Sequence, residues 1–242
     1  MSATEQPRLW QPWAANPLRP GRRIGAYRIE ALLARGGMAY VYRAVHVMLG
    51  RAVAIKILPA VVAADTVART RLRQEAWSVA SLRHPHILEI FDAGEVDDLP
   101  YLVTELVTGG TLADQLRGHR DPVERLRLAL TTARAMGSAL DYAHRQGVLH
   151  RDVKPSNILL TETGRLILAD FGLAQVREAT IRVTQPGDFW GSPHYSSPEQ
   201  IEGGSVTGCS DLYSLAVVLH EILAGRVPFA ADTPMATALA HL

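Results

Sequence analysis

In the first part of the chain, apolar and polar residues alternate over short stretches, with the period of two that is typical of β-strands. In the third stretch Val53, Ile55 and Ile57 fall on one face. Lys56 falls on the other face with Ala54, an unusual place for a solvated charge. We predict strands over Tyr27–Leu33, Ala39–His46 and Arg51–Leu58.

The next stretch repeats its apolar residues at spacings of three and four, which predicts a helix over Thr66–Arg83. Glu75 lies on the same stripe as Leu72 and Val79. Because a buried carboxylate is costly unless it is paired, we expect Glu75 to have a cationic partner. Two further strands are predicted over Ile87–Phe91 and Tyr101–Val107.

The remainder of the chain has mostly helical patterns. Asp121 followed by Pro122 predicts a helix start, and Gly147 predicts its end. The apolar stripe of this helix consists of Leu126, Leu130, Ala133 and Leu140. Further predictions are short strands over Val148–His150, Ile158–Leu160 and Leu166–Ala169, a loop over 170–200, a buried helix over Asp211–Ala224 ended by Gly225, and a helix over Pro234–Leu242. Strands first and helices afterwards indicate an α+β fold with a small sheet-rich part and a larger helical part.

Composition excludes several classes of protein. The 242 residues are 48% hydrophobic with a net charge of +1, which excludes a strongly basic nucleic-acid binder. The single cysteine, Cys209, excludes an internal disulfide framework, and no signal peptide or membrane span is predicted. Lys56 and Lys154 are the only lysines among the 25 Lys and Arg residues, which suggests a need for a compact ammonium at these two positions, with chance as the alternative.

Several chemically informative motifs follow one another along the chain. In order they are Gly36-Gly37, Val53-Ala54-Ile55-Lys56, Glu75, His150-Arg151-Asp152-Val153-Lys154-Pro155-Ser156-Asn157, Asp170-Phe171-Gly172, Ser197-Pro198-Glu199 and Asp211. With this set the sequence resembles the eukaryotic-type serine/threonine protein kinases, and among them the bacterial members, over residues 27–242. Each triplet alone is weak, but the whole set in this order is specific. The resemblance implies a two-lobed protein-kinase-like fold.

The resemblance also implies an activity, the transfer of the γ-phosphoryl group of ATP to Ser or Thr hydroxyls of proteins. In that role Asp152 orients the substrate hydroxyl and accepts its proton. Lys154 neutralises charge on the transferred group. Lys56 contacts the α- and β-phosphates and pairs with Glu75, which supplies the partner expected for that carboxylate.

The cofactors implied are ATP and Mg²⁺, with Asn157 and Asp170 as the metal ligands. The nucleotide-binding residues that the resemblance implies are Leu33, Ala34, Gly36, Gly37, Val41, Ala54, Lys56, Thr104, Glu105, Val107, Asn157 and Asp170.

Substrate preference follows from the same resemblance. Lys154 is typical of serine/threonine kinases, and Ser192 keeps the hydroxyl that these enzymes carry at its position. Thr104 matches the gatekeeper, and its small size predicts an open pocket behind adenine. The resemblance also implies a hydrophobic column of Val79, His150 and Phe171 that Asp211 anchors.

Autophosphorylation of the activation loop is a further implication. Arg151 matches an arginine that pairs with a phosphorylated loop residue. Thr184 is the first candidate and Thr180 the second, with ordinary polar loop residues as the alternative. Pro186 stands where related bacterial kinases often have a second Thr, so double phosphorylation is not expected.

The sequence departs from the family pattern in two places. Ala34 and Ala39 replace two glycines of the glycine-rich loop, so we expect somewhat weaker nucleotide binding. The C-lobe is expected to be incomplete, with Glu199 deprived of its usual arginine partner and the chain less stable than a longer form. A pseudokinase that binds nucleotide or docks partners without phosphotransfer is the alternative function. A small-molecule kinase lacks support because Gly191–Glu199 resembles a peptide-substrate platform.

The domain organisation predicted from the sequence has three parts. Residues 1–26 are an N-terminal tail, 27–107 are the N-lobe and hinge, and 108–242 are the C-lobe. Expected partners are protein substrates and the chain itself, without nucleic acid. The expected location of the kinase domain is cytoplasmic.

Overall fold

The computed structural model describes residues 18–35, 39–57, 79–97, 99–118, 121–171 and 193–242. These residues belong to two units. The first unit contains the described residues up to 57 together with Ile90–Leu106, and the second contains the described part of Leu72–Glu89 together with Val107–Leu242.

The first unit is a six-stranded antiparallel sheet with the strand order β1-β2-β3-β4-β6-β5. Its strands are β1 (Arg23–Ile24), β2 (Tyr27–Arg35), β3 (Tyr40–His46), β4 (Ala52–Ile57), β5 (Ile90–Val96) and β6 (Leu99–Glu105). The alternation in β4 is confirmed, because Val53, Ile55 and Ile57 are at most 2% exposed and form the core with Tyr42 and Val103. The run predicted over Ile87–Phe91 lies differently: Ile87 makes an isolated bridge to Leu168, and the strand begins at Ile90.

Residues 18–26 differ from the expected tail. Leu18 is buried, and its amide donates a hydrogen bond to the Tyr42 hydroxyl over 3.0 Å. Arg23 and Ile24 form β1 and pair with Arg28 and Tyr27 of β2. A strand of two residues is too short to show an alternating pattern, so it could not be predicted from the sequence.

The second unit is mainly helical. It contains α1 (Leu112–Leu116), α2 (Pro122–Arg145), α3 (Pro198–Ile201), α4 (Gly208–Ala224) and α5 (Pro234–Leu239), the hairpin β7 (Ile158–Leu160) and β8 (Leu166–Leu168), and 3₁₀ turns at Pro155–Asn157 and Pro193–Tyr195. Residues 79–89 also pack here: the Arg83 amide donates to the Tyr142 hydroxyl, and Arg165 donates to the Pro85 carbonyl.

Helix α2 begins and ends where the sequence predicts. The Asp121 carboxylate accepts hydrogen bonds from the amides of Val123 and Glu124, over 2.8 and 3.0 Å, which satisfies donors that a helix start leaves open. After the helix, Gly147 adopts a positive φ of 74°.

The predicted apolar stripe of α2 was wrong in its first half. Leu126 and Leu130 are about half exposed, whereas Met136 and Leu140 are fully buried. The other buried positions of the helix are Ala129, Thr132, Ala135, Ala139 and Ala143. The side that packs is thus marked by small residues, which allow α2 to approach α4 closely, and not by the two leucines.

Helix α4 is also less enclosed than predicted. Leu215, Val218 and Ile222 are buried, but Leu212 and Leu223 are about half exposed. The helix ends before Gly225, which has a φ of 73°, as the sequence predicts.

The strand expected over Val148–His150 is absent from the described structure. The segment has no strand assignment, and the Val148 amide donates to the Ala143 carbonyl at the end of α2. The His150 amide donates to the carboxylate of Asp211. Because these amides bond to other groups, the apolar run does not require a neighbouring strand.

Two further findings complete the fold. In the part of the chain that the structure describes, no helix is long and apolar enough to cross a membrane. Most of the predicted helix Thr66–Arg83 and of the predicted loop over 170–200 lies outside the described residues, where only 79–83, 170–171 and 193–200 are seen.

Candidate active site

The loop that follows α2 brings three predicted site residues into direct contact. The Lys154 ammonium lies 2.7 Å and 3.0 Å from the two carboxylate oxygens of Asp152. The Asn157 amide Nδ2 donates to the Asp152 carbonyl over 2.8 Å and to its carboxylate over 3.2 Å. The Asp152 carboxylate is therefore surrounded by donors and held in one orientation, while its side chain remains 26% exposed.

His150 fixes the backbone of this loop from within the core. It is fully buried, and its Nδ1 accepts a hydrogen bond from the Asp152 amide over 3.2 Å. Its Nε2 lies 2.8 Å from the Ala169 carbonyl, which can only accept. Both contacts are satisfied only by the neutral ring with its proton on Nε2. The ring also meets Phe171 edge to face at 4.5 Å between centroids, as the hydrophobic column implies.

Asp211 anchors the same loop from helix α4. One of its oxygens accepts the His150 amide over 2.9 Å, and the other accepts the Arg151 amide over 2.7 Å. His144 Nε2 lies 2.8 Å from the first oxygen. The carboxylate is 1% exposed, so these donors offset the cost of burying it. Arg151 itself has a φ of 66°, a region that residues with a side chain rarely adopt.

A backbone hydrogen bond joins the segments that carry the two predicted metal ligands, Asn157 and Asp170. The Ala169 amide, next to Asp170, donates to the Asn157 carbonyl over 2.8 Å. Asn157 uses Nδ2 as a donor towards Asp152, which leaves its amide oxygen as an acceptor. An amide oxygen and a carboxylate are a donor set that suits Mg²⁺. Among the described residues, no group of three or more His, Cys, Asp or Glu side chains forms another metal site.

In the first unit, strand register places the predicted nucleotide residues on one face of the sheet. Val41 is paired with Ala34 on one side and with Lys56 on the other. Ala54 is paired with Thr104. Paired residues share a face, and residues two apart in a strand share it too, so all five lie on the same side of the sheet. The opposite side of β4 is the buried core.

The remaining described residues that are predicted to bind nucleotide lie in or directly after strands of this sheet. Leu33 lies between Leu32, paired with Tyr42, and Ala34, at an irregularity in the register of β2 and β3. The Thr104 hydroxyl donates to the Glu105 carbonyl over 3.1 Å. Val107 follows β6 and is the first residue of the second unit after Leu106.

The two alanines of the glycine-rich stretch fit the chain without strain. Among the described residues other than glycine, positive φ occurs only at Asp97, Arg151 and Asp170. Ala34 and Ala39 therefore have negative φ, and neither position requires glycine's conformational freedom.

Glu199 has a partner that the sequence analysis did not foresee. The Ser210 hydroxyl donates a short hydrogen bond to the Glu199 carboxylate. This bond lowers the pKa of Glu199 below its ordinary value. The expected loss of an arginine partner therefore does not leave this carboxylate without a hydrogen bond.

Helix α3 contributes a contact that no motif predicted. Gln200 donates from Nε2 to the Arg151 carbonyl over 2.8 Å, across 49 residues of sequence. Its Oε1 accepts from both the amide and the hydroxyl of Ser197, which is the capping box of α3. The sequence signal that could have drawn attention to Gln200 is the Ser-x-x-Gln spacing, although it indicates only the cap.

Several predicted site residues lie outside the described part of the chain. They are Glu75, Gly36, Gly37, Thr180, Thr184 and Ser192. Their placement stays a prediction.

Comparisons with known families, sequences and structures all identify protein kinases as similar to this chain. The protein kinase domain family matches residues 27–241. A probable serine/threonine-protein kinase of Streptomyces coelicolor is 42% identical over 228 residues, and the serine/threonine-protein kinase PrkC of Bacillus subtilis is 43% identical over 225 residues. Each alignment covers 92% of this chain and 34% of the relative, so the chain spans about a third of the length of these proteins. The crystal structure of the Mycobacterium tuberculosis PknI kinase domain matches with a TM-score of 0.71 and 33% identity, covering 90% of this chain and 83% of that one.

Proposed function

Because the chain belongs to the protein kinase family, in its bacterial eukaryotic-type serine/threonine branch, we propose that it transfers the γ-phosphoryl group of ATP to Ser or Thr hydroxyls of proteins. The observation that carries the proposal is the Asp152 carboxylate, held by Lys154 and Asn157 in a loop fixed by side chains from α4 and the core. Family members in general use ATP and a divalent cation.

Asp152 is the proposed catalytic base. Its carboxylate orients the incoming hydroxyl and takes up its proton as the oxygen attacks the γ-phosphorus. The hydrogen bonds from Lys154 and Asn157 support this role because they limit the rotation of the carboxylate before substrate arrives. Lys154 also neutralises negative charge on the phosphoryl group in the transition state of its transfer.

The sheet face of the first unit is the proposed nucleotide surface. It presents one ammonium, that of Lys56, among the small or apolar side chains of Ala34, Val41 and Ala54. A flat apolar surface suits a purine ring, and an ammonium suits the α- and β-phosphates. The family resemblance implies Glu75 as the partner that orients Lys56.

Asn157 and Asp170 are the residues proposed to hold Mg²⁺. The cation, when bound, supplies positive charge that neutralises the phosphate oxygens. Asn157 contributes through the amide oxygen that its contacts with Asp152 leave as an acceptor. Asp170 is held beside it by the bond between Ala169 and Asn157.

The proposed substrates are proteins, including the chain itself. Lys154 beside the catalytic carboxylate favours Ser and Thr over Tyr, in line with the named activity of the relatives. Thr184 and then Thr180 are the proposed autophosphorylation sites, with Arg151 as the residue that binds the new phosphate.

Intact mass after incubation with Mg-ATP tests the proposal. We expect additions of phosphate to Ser or Thr in the parent chain, and none in Asp152→Asn. If the parent binds ATP but phosphorylates neither itself nor a generic basic protein, the proposal is wrong and a pseudokinase is the better description. Peptide mapping then shows whether Thr184 carries the phosphate.

A further inference from the structure

Both polar backbone groups of Arg151 are held by side chains, and the two side chains come from different helices. Asp211 of α4 accepts the Arg151 amide over 2.7 Å, and Gln200 of α3 donates to the Arg151 carbonyl over 2.8 Å. We propose that Gln200 is a positioning residue for phosphotransfer, which sets the orientation of the peptide between Arg151 and Asp152 and so of the Asp152 carboxylate. The inference rests on the proposed function, because it deepens the role of the same loop.

The backbone at Arg151 needs such support. Its φ of 66° lies in the left-handed region, which is sparsely populated for residues with a side chain. A conformation of this kind persists where surrounding groups hold it, and it is often found at sites where a loop must present one side chain. A single bond to the Arg151 amide fixes one end of the residue. The bond from Gln200 fixes the carbonyl, which belongs to the peptide plane of Asp152.

Gln200 is itself fixed at both ends of its amide. Its Oε1 accepts from the Ser197 amide over 3.0 Å and from the Ser197 hydroxyl over 3.2 Å. Ser197 is fully buried, so the residue that holds Oε1 of Gln200 is itself enclosed by the fold. Because a carbonyl such as that of Arg151 can only accept, the Nε2 end must point to the loop and the Oε1 end to the helix cap.

This division of roles makes one substitution especially informative. Glutamate has the same length as glutamine and satisfies a capping box equally well. An ionised glutamate, however, has no donor for the Arg151 carbonyl and places an oxygen against it. Gln200→Glu therefore keeps the cap of α3 and removes the bond to the loop. Protonation of the new carboxyl restores a donor.

The test compares phosphotransfer by the parent chain and Gln200→Glu to a generic basic protein, with rates measured over a range of Mg-ATP concentrations. We expect kcat to fall about tenfold at neutral pH, with KM for ATP changed less than about twofold, because the lost bond orients the loop and does not touch the nucleotide surface. The ratio of the variant rate to the parent rate should rise about twofold as the pH is lowered from about 7 to about 5, because a carboxyl with an ordinary pKa of about 4.3 begins to take up a proton only near pH 5.

Two further variants separate positioning from a loss of structure. Gln146→Glu makes the same chemical change at an exposed position after α2, and its rate ratio should stay near one at every pH. Gln200→Met lacks both the donor and the acceptor, so its loss of rate should not recover at low pH. Urea midpoints are measured for each, and the midpoint of Gln200→Glu should lie above that of Gln200→Met, which loses the bond of the helix cap as well as the bond to the loop.

The outcomes distinguish this inference from the proposed function. If the parent chain shows no phosphotransfer, the proposed function fails. If the parent is active and Gln200→Glu has the parental rate, or a loss that Gln200→Met matches at every pH, the positioning role is wrong. A urea midpoint of Gln200→Glu well below that of the parent, together with a rate that is low at all pH values, would mean that Gln200 serves only the helix cap.

Discussion

The loop 150–157 of the second unit, proposed to be catalytic, and the sheet face of the first unit, proposed to bind nucleotide, position their side chains by different means. In the loop, the backbone of His150 and Arg151 is held by side chains from other helices, those of Asp211 and Gln200. In the sheet, Ala34, Val41 and Lys56 share a face because the strand register alone aligns them. The loop should therefore fail when one distant partner is changed, whereas the sheet should tolerate changes that keep size and register.

The largest effect that sharpens this contrast is expected at Asp211. Asp211→Asn keeps the shape of the side chain but replaces one acceptor oxygen with a donor that faces a backbone amide. We expect kcat to fall about a hundredfold and the free energy of unfolding to fall by about 2–3 kcal/mol, because a buried charged hydrogen bond is lost. Phosphotransfer rates and urea denaturation measure the two effects.

The matched control is Asp232→Asn, at an exposed position before α5. It should leave both quantities close to the parental values. Parental activity of Asp211→Asn would show that the loop does not depend on this anchor and would remove the contrast with the sheet.

One residue on the sheet face is expected not to tolerate substitution, the charged Lys56. Lys56→Arg keeps the register and the charge, but a planar guanidinium replaces a compact ammonium on the face that carries Ala54. We expect phosphotransfer to fall about tenfold to a hundredfold, with the unfolding midpoint unchanged. Circular dichroism and steady-state rates at varied ATP concentration measure this, and a near-parental rate would contradict the role proposed for Lys56.

A much smaller effect is expected where alanine stands in place of glycine. Ala34 pairs with Val41 at negative φ, so Ala34→Gly removes a methyl group without relieving strain. We expect the Kd for ATP to change less than about threefold and the free energy of unfolding to fall by about 0.5–1 kcal/mol. Calorimetric titration with ATP measures this Kd. A tenfold gain in the affinity of Ala34→Gly for ATP would mean that the alanine impairs nucleotide binding.

The smallest effect concerns a side-chain bond nearer the surface, that of Glu199. Ser210 lowers the pKa of Glu199, so the carboxylate stabilises the folded chain above its unfolded pKa of about 4.3. This contribution is lost as the pH falls through the lower, folded pKa. Because the group is only partly buried, we expect less than about 1 kcal/mol from it.

Glu199→Gln should lower the free energy of unfolding slightly at neutral pH, and the difference from the parent should shrink as the solution is acidified. Urea unfolding at a series of pH values measures this. A difference that grows on acidification would mean that the sign of the linkage is wrong.

The sequence predicted what depends on local pattern. The alternation of Val53, Ile55 and Ile57 gave both the strand and its buried face, and Asp121 gave the start of α2. The stripe of α2 was misjudged because Leu126 and Leu130 are large and apolar, whereas small residues such as Ala139 mark the side that packs. Exposure of a leucine depends on what the fold places beside it, which periodicity does not specify.

The candidate site shows the same division. The motifs predicted the neighbourhood of Asp152, Lys154 and Asn157, since these residues lie within one short loop. They did not predict the contact of Gln200 with Arg151, because a bond from a side chain to a backbone carbonyl 49 residues away leaves no periodic or compositional trace. Such bonds become visible only when the chain is folded.

The proposed function depends most directly on the Asp152 carboxylate, and the phosphotransfer rate of Asp152→Asn at saturating Mg-ATP tests that dependence. Asp141→Asn is the control, because Asp141 forms an exposed ion pair with Arg145 on α2. We predict that Asp152→Asn binds ATP as the parent does but transfers phosphate about a thousandfold more slowly, while Asp141→Asn retains the parental rate. If Asp152→Asn transfers phosphate within about threefold of the parent, the carboxylate is not the base and the central claim is contradicted.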